Sequence, residues 1–535
     1  MFLSLLTILP LFHYPALASN PGYDGQFHVA RITESFINVK NGGIFKAYPD
    51  LMTHSFGSFG YPQNIFYPLI LFIPEIIIHL IVGNGYLAFL LFTFLCEFLI
   101  FISMFFCSFK ISKNRMLAII ASLLYGLGHF TLSIIFFYRS LGGMLDFIFL
   151  PIVFYGVYQL TLKNYRKWWI LAFGMSGVIL SDLPDSLVIF SFIIFSLGLA
   201  FLGKNWKETV IKRCSYLIVA GIVTLLLTSF FIIPLVQNLL YIKDITVNIN
   251  DLYSSSISIM DLILPKTLSS YAIGILGGII IIGIIAFWTK LSAFFKYLSI
   301  ELLLFIVLTS NVFPWQLLQH NFKFLQFTGR FLYVITFLIA FIGAKLICMV
   351  LTNKSDRLLI ITILSVCGIL AVTSINLNNV KKPAENGFTL VSWKDFDQNS
   401  LSCNTLDYLP KETNHDKDLL SKHSIPVVNK GKDLVQLDYS NSYNKIDYRI
   451  KTNRNYSSIY LPAAYYPGFH VYVNDKEQKI NVGKNKLIKV KVNKGINDIQ
   501  IKYQKTTIQK LTIVISILAL ISTLFYIMKT NKKSK

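Results

Sequence analysis

Long apolar runs separated by short polar links fill most of the first 375 residues, and the pattern then changes. Apolar runs fall near 2–19, 85–109, 116–137, 141–162, 168–181, 186–202, 214–233, 271–288, 299–313, 328–350, 358–375 and 508–528. Several reach the roughly 17–25 residues a helix needs to cross a bilayer core. Alternation of apolar and polar residues, the mark of a lipid-facing barrel strand, is absent before residue 375, so the pattern predicts an all-α membrane bundle of about twelve helices. Alternation appears only in "SSIYLPAAYYPGFHVYVNDKEQKINVGKNKLIKVKVNKGINDIQIKYQ" (457–504), where "NDK", "GKN" and "KGIN" read as hairpin turns. The chain thus divides into a polytopic domain over 1–375, a β-sandwich domain over 376–507, and a final helix with a basic tail over 508–535.

Two segments resist this simple reading. "IFYPLILFIPEIIIHLIVG" (65–83) is apolar enough to cross, yet a crossing there would reverse the side of every later loop. Pro68, Pro74, Glu75 and His79 suit a segment lying in the outer interface better than a lipid-buried span. An ordinary crossing, offset by one fewer elsewhere, stays open. The first run ends in "PALAS", which has the form of a signal-peptidase site, but it lacks a basic leader and is about long enough to span, so we read it as retained.

Composition agrees with the pattern and sharpens it. Hydrophobic residues make up 54% of the 535, charged ones 14%, and mean hydropathy is +0.58, outside the range of a soluble globular chain. The net charge of +22 would point to nucleic acid in a soluble protein. Here the basic residues cluster in links such as "KISKNR" (110–115), "KNYRK" (163–167), "GKNWKETVIKR" (203–213) and the tail "KTNKKSK". Placing these links in the cytoplasm puts both termini inside and residues 20–84, 234–270 and 376–507 outside, with no role for nucleic acid. The six cysteines show no paired spacing and read as small core residues.

The chemistry concentrates on the outer level of this map. In "YDGQFHVARITESFINVKNGG", Asp24, His28, Arg31 and Ser35 recur along one helical face, beside an apolar stripe of Val29, Ile32, Phe36 and Val39. The spacing predicts an amphipathic surface helix led by a carboxylate, although Asp24 also fits a plain N-cap. Arg139 and Asp146 stand in and after "YRSLGGMLDF", Asp182 and Asp185 in "SDLPDS", and His320, Lys323 and Arg330 in "QHNFKFLQFTGRF". Any one of these could simply snorkel to water. Together they favour a site for an anionic lipid headgroup.

The run "GQFHVARITESFINVKNGGIFKAYPDLMTHSFGSFGYPQNIFYPLI", with an H-x-x-R segment leading to G-Y-P…F-Y-P, resembles the opening of bacterial membrane proteins named "6-pyruvoyl-tetrahydropterin synthase-related". That name is inherited, and nothing here suggests pterin chemistry. "FLQFTGRFLYV" and "YYPGFHVYVNDKEQKI…VKVNKGINDIQIKY" are similar to the YfhO-like family, whose members share the architecture of GT-C glycosyltransferases. The resemblance implies a sugar taken from a polyprenyl-phosphate donor and an acidic catalytic residue in the first external loop, the place of Asp24. With the outer-level charges, this reading makes His28, Arg31, His54, Tyr61, Arg139, Asp182, Asp185, Lys323 and Arg330 the expected substrate-binding residues, with an envelope glycan or lipid as acceptor and membrane lipids around. Asp24-Gly25-Gln26 departs from the D-x-D or E-x-D pair of relatives, so no metal cofactor is expected, though Asp24 and His28 could hold an ion. Two other classes compete: a lipid or glycolipid transporter, disfavoured by the sparse polarity of the cytoplasmic helix halves, and a non-catalytic envelope-assembly protein.

Overall fold

The computed structural model describes residues 2–13, 22–203, 206–243, 251–267, 270–381, 392–403, 406–423 and 434–532. Seven helices among them are long and apolar enough to cross a membrane: Gly85–Ser112, Leu141–Leu162, Leu183–Leu202, Lys207–Leu227, Thr328–Val350, Lys354–Ile375 and Thr507–Thr530. Arg115–Gly126 and His129–Tyr138 form an eighth if counted as one span, bent by 48° at Leu127-Gly128.

Three of the expected crossings form helices shorter than the described long spans. Trp169–Ser181 and Gly274–Ala286 have 13 residues each and Ala293–Thr309 has 17. At 1.5 Å per residue a 13-residue helix is only about 20 Å long, against about 30 Å of hydrocarbon. The first run contributes α1, Phe2–His13, which packs on the Gly85–Ser112 helix through a Thr7 hydroxyl bound to Glu97 at 2.5 Å. Its "PALAS" end lies outside the described residues. Seven to eight spans are therefore supported among the described residues, and the expected count of about twelve is not confirmed.

Residues 65–83 break into the short turns Gln63–Phe66 and Ile70–Phe72 and the 10-residue helix Ile73–Val82. Proline explains the break, since Pro68 and Pro74 cannot donate backbone hydrogen bonds. Glu75 and His79 are both buried within the protein, His79 stacking on Phe36 at 3.7 Å and pairing with Asp397 at 3.2 Å. Ile73, Ile77 and Ile81 take the exposed side.

Burial sorts the spans into centre and rim. The most apolar windows of Leu141–Leu162 and Thr328–Val350 are 83% buried, those of Lys207–Leu227, Lys354–Ile375 and Thr507–Thr530 only 17%, the pattern of lipid-facing helices. Close approach at the centre needs glycine. A Cβ on Gly156 would lie 2.5 Å from the backbone nitrogen of Leu171, so only glycine lets Leu141–Leu162 and Trp169–Ser181 touch.

Among the described residues, the C-terminal part has eight antiparallel strands: β1 Leu434–Ser442, β2 Lys445–Thr452, β3 Tyr456–Ala464, β4 Phe469–Val473, β5 Lys476–Gln478, β6 Asn481–Val482, β7 Leu487–Val492 and β8 Gly495–Tyr503. One sheet has the order β1-β2-β8-β4-β5, the other β3-β7-β6. Inward residues alternate as expected, with Ile446, Tyr448, Ile450, Ile499 and Ile501 buried on one sheet and Leu487, Val490 and Val492 on the other. The β4–β5 turn at Asn474-Asp475 has φ of 51° and 63°, the type I′ geometry that "NDK" favours. The β1–β2 hairpin goes beyond the sequence expectation, because β1 exposes apolar Val435 and Leu437 and shifts register between Gln436 and Asp438, which blurs its alternation.

The β-rich part is tied to residues 48–61. Asn444 accepts from the backbone N–H groups of Asp50 (2.8 Å) and Leu51 (3.0 Å), Lys505 pairs with Asp50, and the Tyr439 hydroxyl donates to the Ser58 carbonyl at 2.5 Å. These ties bring the segment after residue 400 against α2, Gly22–Gly42, and enclose a polar cavity between them.

Candidate functional site

The α2 helix carries Asp24 as its third residue, inside the first turn and not at the cap. Asp24 and His28, one turn apart, line a cavity of about 490 Å³. Arg31, the next residue on that face, turns away and is fully buried. Its Nε donates to Asn64 Oδ1 (3.0 Å) and its Nη2 to the Tyr67 carbonyl (2.6 Å), while the rings of Phe27 and Tyr67 lie 5.2 Å from its guanidinium. Burial lowers its pKa to about 10, which leaves it charged near neutrality. Burial and this positive neighbour together hold His28 well below its ordinary range, so His28 is neutral.

With Tyr67 held by Arg31, its hydroxyl donates to Asp182 Oδ2 at 2.8 Å. The other oxygen, Oδ1, accepts from the Asp185 backbone N–H at 3.2 Å and so caps the helix Leu183–Ser196. Arg330 closes the network. Its Nη1 donates to Asp182 (3.2 Å) and to Asp185, its Nη2 to Gln326 Oε1 (2.6 Å), and its Nε to the Leu325 carbonyl (3.1 Å). A left-handed Gln326, with φ of 64°, turns the loop back so that these contacts form. Asp146 is fully buried beside Asp185.

At the end of the bent span, a π-helical turn over Ser133–Tyr138 ends at Arg139, where φ is 49°. The extra residue in such a turn rotates its successors around the helix axis, and here it brings Tyr138 and Ser140 to the cavity. The Ser140 hydroxyl hydrogen-bonds the Asp24 carboxyl. Asp24 keeps surface open to the cavity, but its enclosed surroundings desolvate the carboxyl and raise its pKa, and the negative charge of Asp182 adds to the rise; Ser140 and Arg330 oppose it. The result is a carboxyl that binds a proton more readily than an ordinary aspartate.

Aromatic rings of Tyr67, Tyr138, Tyr271, Phe327, Tyr333 and Tyr408 make most of the wall, with Asp24, Asp182, Asp185 and Asp407 as acids and Arg330 as the charged base among the lining residues. Other expected binding residues lie elsewhere. The backbone N–H of half-buried His54 donates to Glu34 Oε1 at 3.1 Å, in a loop that Glu34 also binds through Thr53 and Ser55. Buried Tyr61 accepts the Tyr408 backbone N–H at 2.7 Å and so supports the wall from behind. Arg139 is buried and absent from the lining, and Lys323 is exposed. The anticipated basic cluster of Arg139, Lys323 and Arg330 is therefore not gathered here, and carboxyls outnumber cations because Arg330 is drawn onto two of them. Among the described residues, no three His, Cys, Asp or Glu side chains converge as a metal ion requires.

The sequence pattern does not single out Tyr138, Ser140, Gln326, Asp407 and Tyr408. Ser140 adjoins Arg139 and Gln326 lies one helical turn before Arg330, and hydroxyl or amide neighbours of a charged group are a usable signal. Asp407-Tyr408 carries no local signal, since only the fold brings it near Asp24.

A bundle of apolar spans, a β-rich C-terminal part and a polar cavity between them define a multi-pass membrane protein. Its family emerges from comparison: the family model described as "Bacterial membrane protein YfhO" matches residues 54–395 and 425–516, and the chain belongs to that family. Tyr67, Asp182, Asp185 and Arg330 lie within the matched residues, Asp24 and Asp407 outside them. The chain is also similar to an uncharacterized protein of Lactococcus lactis subsp. cremoris (strain MG1363), 27% identical over 242 residues. That match covers 44% of this chain and 38% of the relative.

Proposed function

We propose that this protein transfers a sugar from a polyprenyl-phosphate-linked donor to an envelope polymer or lipid at the outer face of the cell membrane. The observation that carries this reading is the Asp24 carboxyl, open to a cavity walled by aromatic rings and further carboxyls. Aromatic faces suit the C–H faces of a pyranose ring, and carboxylates accept hydrogen bonds from its hydroxyls.

In the proposed reaction Asp24 is the general base. Its carboxylate takes the proton of the acceptor hydroxyl as the acceptor oxygen bonds to the anomeric carbon and the bond from that carbon to the phosphate oxygen breaks. The electron pair leaves on polyprenyl phosphate, and the Arg330 guanidinium in the same cavity lowers the cost of that charge. A lipid-linked donor is further supported by an apolar groove of about 220 Å³, lined by Leu124, Leu127, Ile273, Ile339 and Leu364, which shares Phe130 with the polar cavity. The envelope glycans of a deletion strain and of one restored with the wild-type gene test the class. Loss of one sugar decoration on deletion, with return on restoration, is expected; identical glycans would sink the reading.

A further inference from the structure

The membrane helices and their nearby loops build most of the cavity wall, but Asp407 and Tyr408 come from the part of the chain that leads into the strands. The stretch is fixed on several sides. The Tyr408 N–H donates to the Tyr61 hydroxyl (2.7 Å), the Tyr466 hydroxyl donates to the Tyr408 carbonyl (3.0 Å), and the Tyr408 ring stacks on Phe66 at 4.7 Å with 6° between planes. Leu409 is fully buried, and the Thr413 hydroxyl donates to the Asn485 carbonyl at 2.9 Å. So anchored, the half-buried Asp407 carboxyl lines the same cavity as Asp24, close enough for its charge to add to the proton affinity of Asp24.

Given the transfer reading, on which this rests, we infer that Asp407 determines specificity for the transferred sugar, by accepting hydrogen bonds from its hydroxyls while Asp24 acts at the acceptor. An ionised carboxylate only accepts, and its two oxygens match a pair of adjacent hydroxyls. An epimer that moves one hydroxyl to the other ring face leaves one of those oxygens desolvated and unpaired, and such loss discriminates strongly in a partly buried site. The rigid anchoring of Tyr408 favours this role over a mobile lid, because discrimination needs the acceptor atoms held in place. The C-terminal part thereby supplies a recognition residue to a base on the first loop.

The test uses the full chain in nanodiscs, with membranes of a deletion strain as acceptor and a donor panel of undecaprenyl-phosphate glucose, galactose and their N-acetylated forms. The ratio of kcat/KM for the preferred sugar to that for its C4 epimer is measured for wild type, Asp24→Asn, Asp407→Asn and Asp407→Glu. The expected result is a ratio about 10- to 100-fold closer to one in Asp407→Asn, the range for a hydrogen bond to a charged group. Asp407→Glu, which keeps the charge but moves the oxygens, shifts the ratio as well and serves if the Asn form fails to accumulate. A purely structural role would lower both rates together and leave the ratio fixed. An unchanged ratio in both variants, with Asp24→Asn inactive, overturns this inference alone. If wild type uses no donor of the panel, the transfer reading falls, and this inference with it.

Discussion

Two buried charges, Glu34 and Arg330, show how single residues hold the site in shape. Glu34 is fully buried with its carboxyl among the backbone N–H groups of Thr53, His54 and Ser55, and burial outweighs those donors to raise its pKa to about 7. The folded protein thus binds this proton more tightly than the unfolded chain. Stability from this source is full below about pH 4 and is lost as pH rises through about 7, a change of about 3 kcal/mol. Thermal unfolding in detergent from pH 4 to 8 checks this: the expected decline should be absent from Glu34→Gln, and parallel curves would refute it. Arg330 spans partly buried Asp182 and buried Asp185, so Arg330→Gln removes the cation paired with both and leaves Asp185 as an uncompensated buried acid, at about 3–5 kcal/mol. Adding Asp185→Asn should return part of that loss, whereas additive losses in the same unfolding assay would mean the groups do not couple.

At the scale of elements, the start of the Leu141–Leu162 helix depends on Gly142. A Cβ there would lie 2.7 Å from the Tyr67 hydroxyl and 3.0 Å from the Ser181 carbonyl. Gly142→Ala should therefore displace Tyr67 from Asp182, lowering transfer about tenfold while expression holds, since one hydrogen bond to a charged group is lost. Wild-type rates in this variant would show that the tyrosine contact is dispensable. Much of this level is legible in the chain. The period of "YDGQFHVARITESFINVKNGG" marks α2 and its end at Gly42, and the basic links mark the long spans. Helix breaks are less legible, because Leu127-Gly128 and the π-helical turn lie within apolar stretches whose composition suits a straight span equally well. β1 is hidden because it exposes apolar Val435 and Leu437 and shifts register between Gln436 and Asp438.

At the scale of the molecule, the cavity exists because parts of the chain far apart in sequence meet, and this is the least legible feature. Asp24, Asp182, Asp185 and Arg330 can each be marked as outer-level charges, but no local pattern says that Arg330 is held by two of them, or that Asp407 joins. The proposed sidedness puts the β-rich part outside the cell. In a cysteine-free background, Ser440→Cys on exposed β1 should label with a membrane-impermeant reagent in intact cells. Labelling only after permeabilisation would reverse the topology and move the site to the other face. The central claim is that Asp24 is the base of a sugar transfer, and the initial rate of wild type and Asp24→Asn in nanodiscs, with one polyprenyl-phosphate sugar as donor, tests it most directly. Asn keeps the size of the side chain and removes the base, so the account predicts a loss of about 10²- to 10⁴-fold with the protein folded and inserted; equal rates for the two proteins would contradict it.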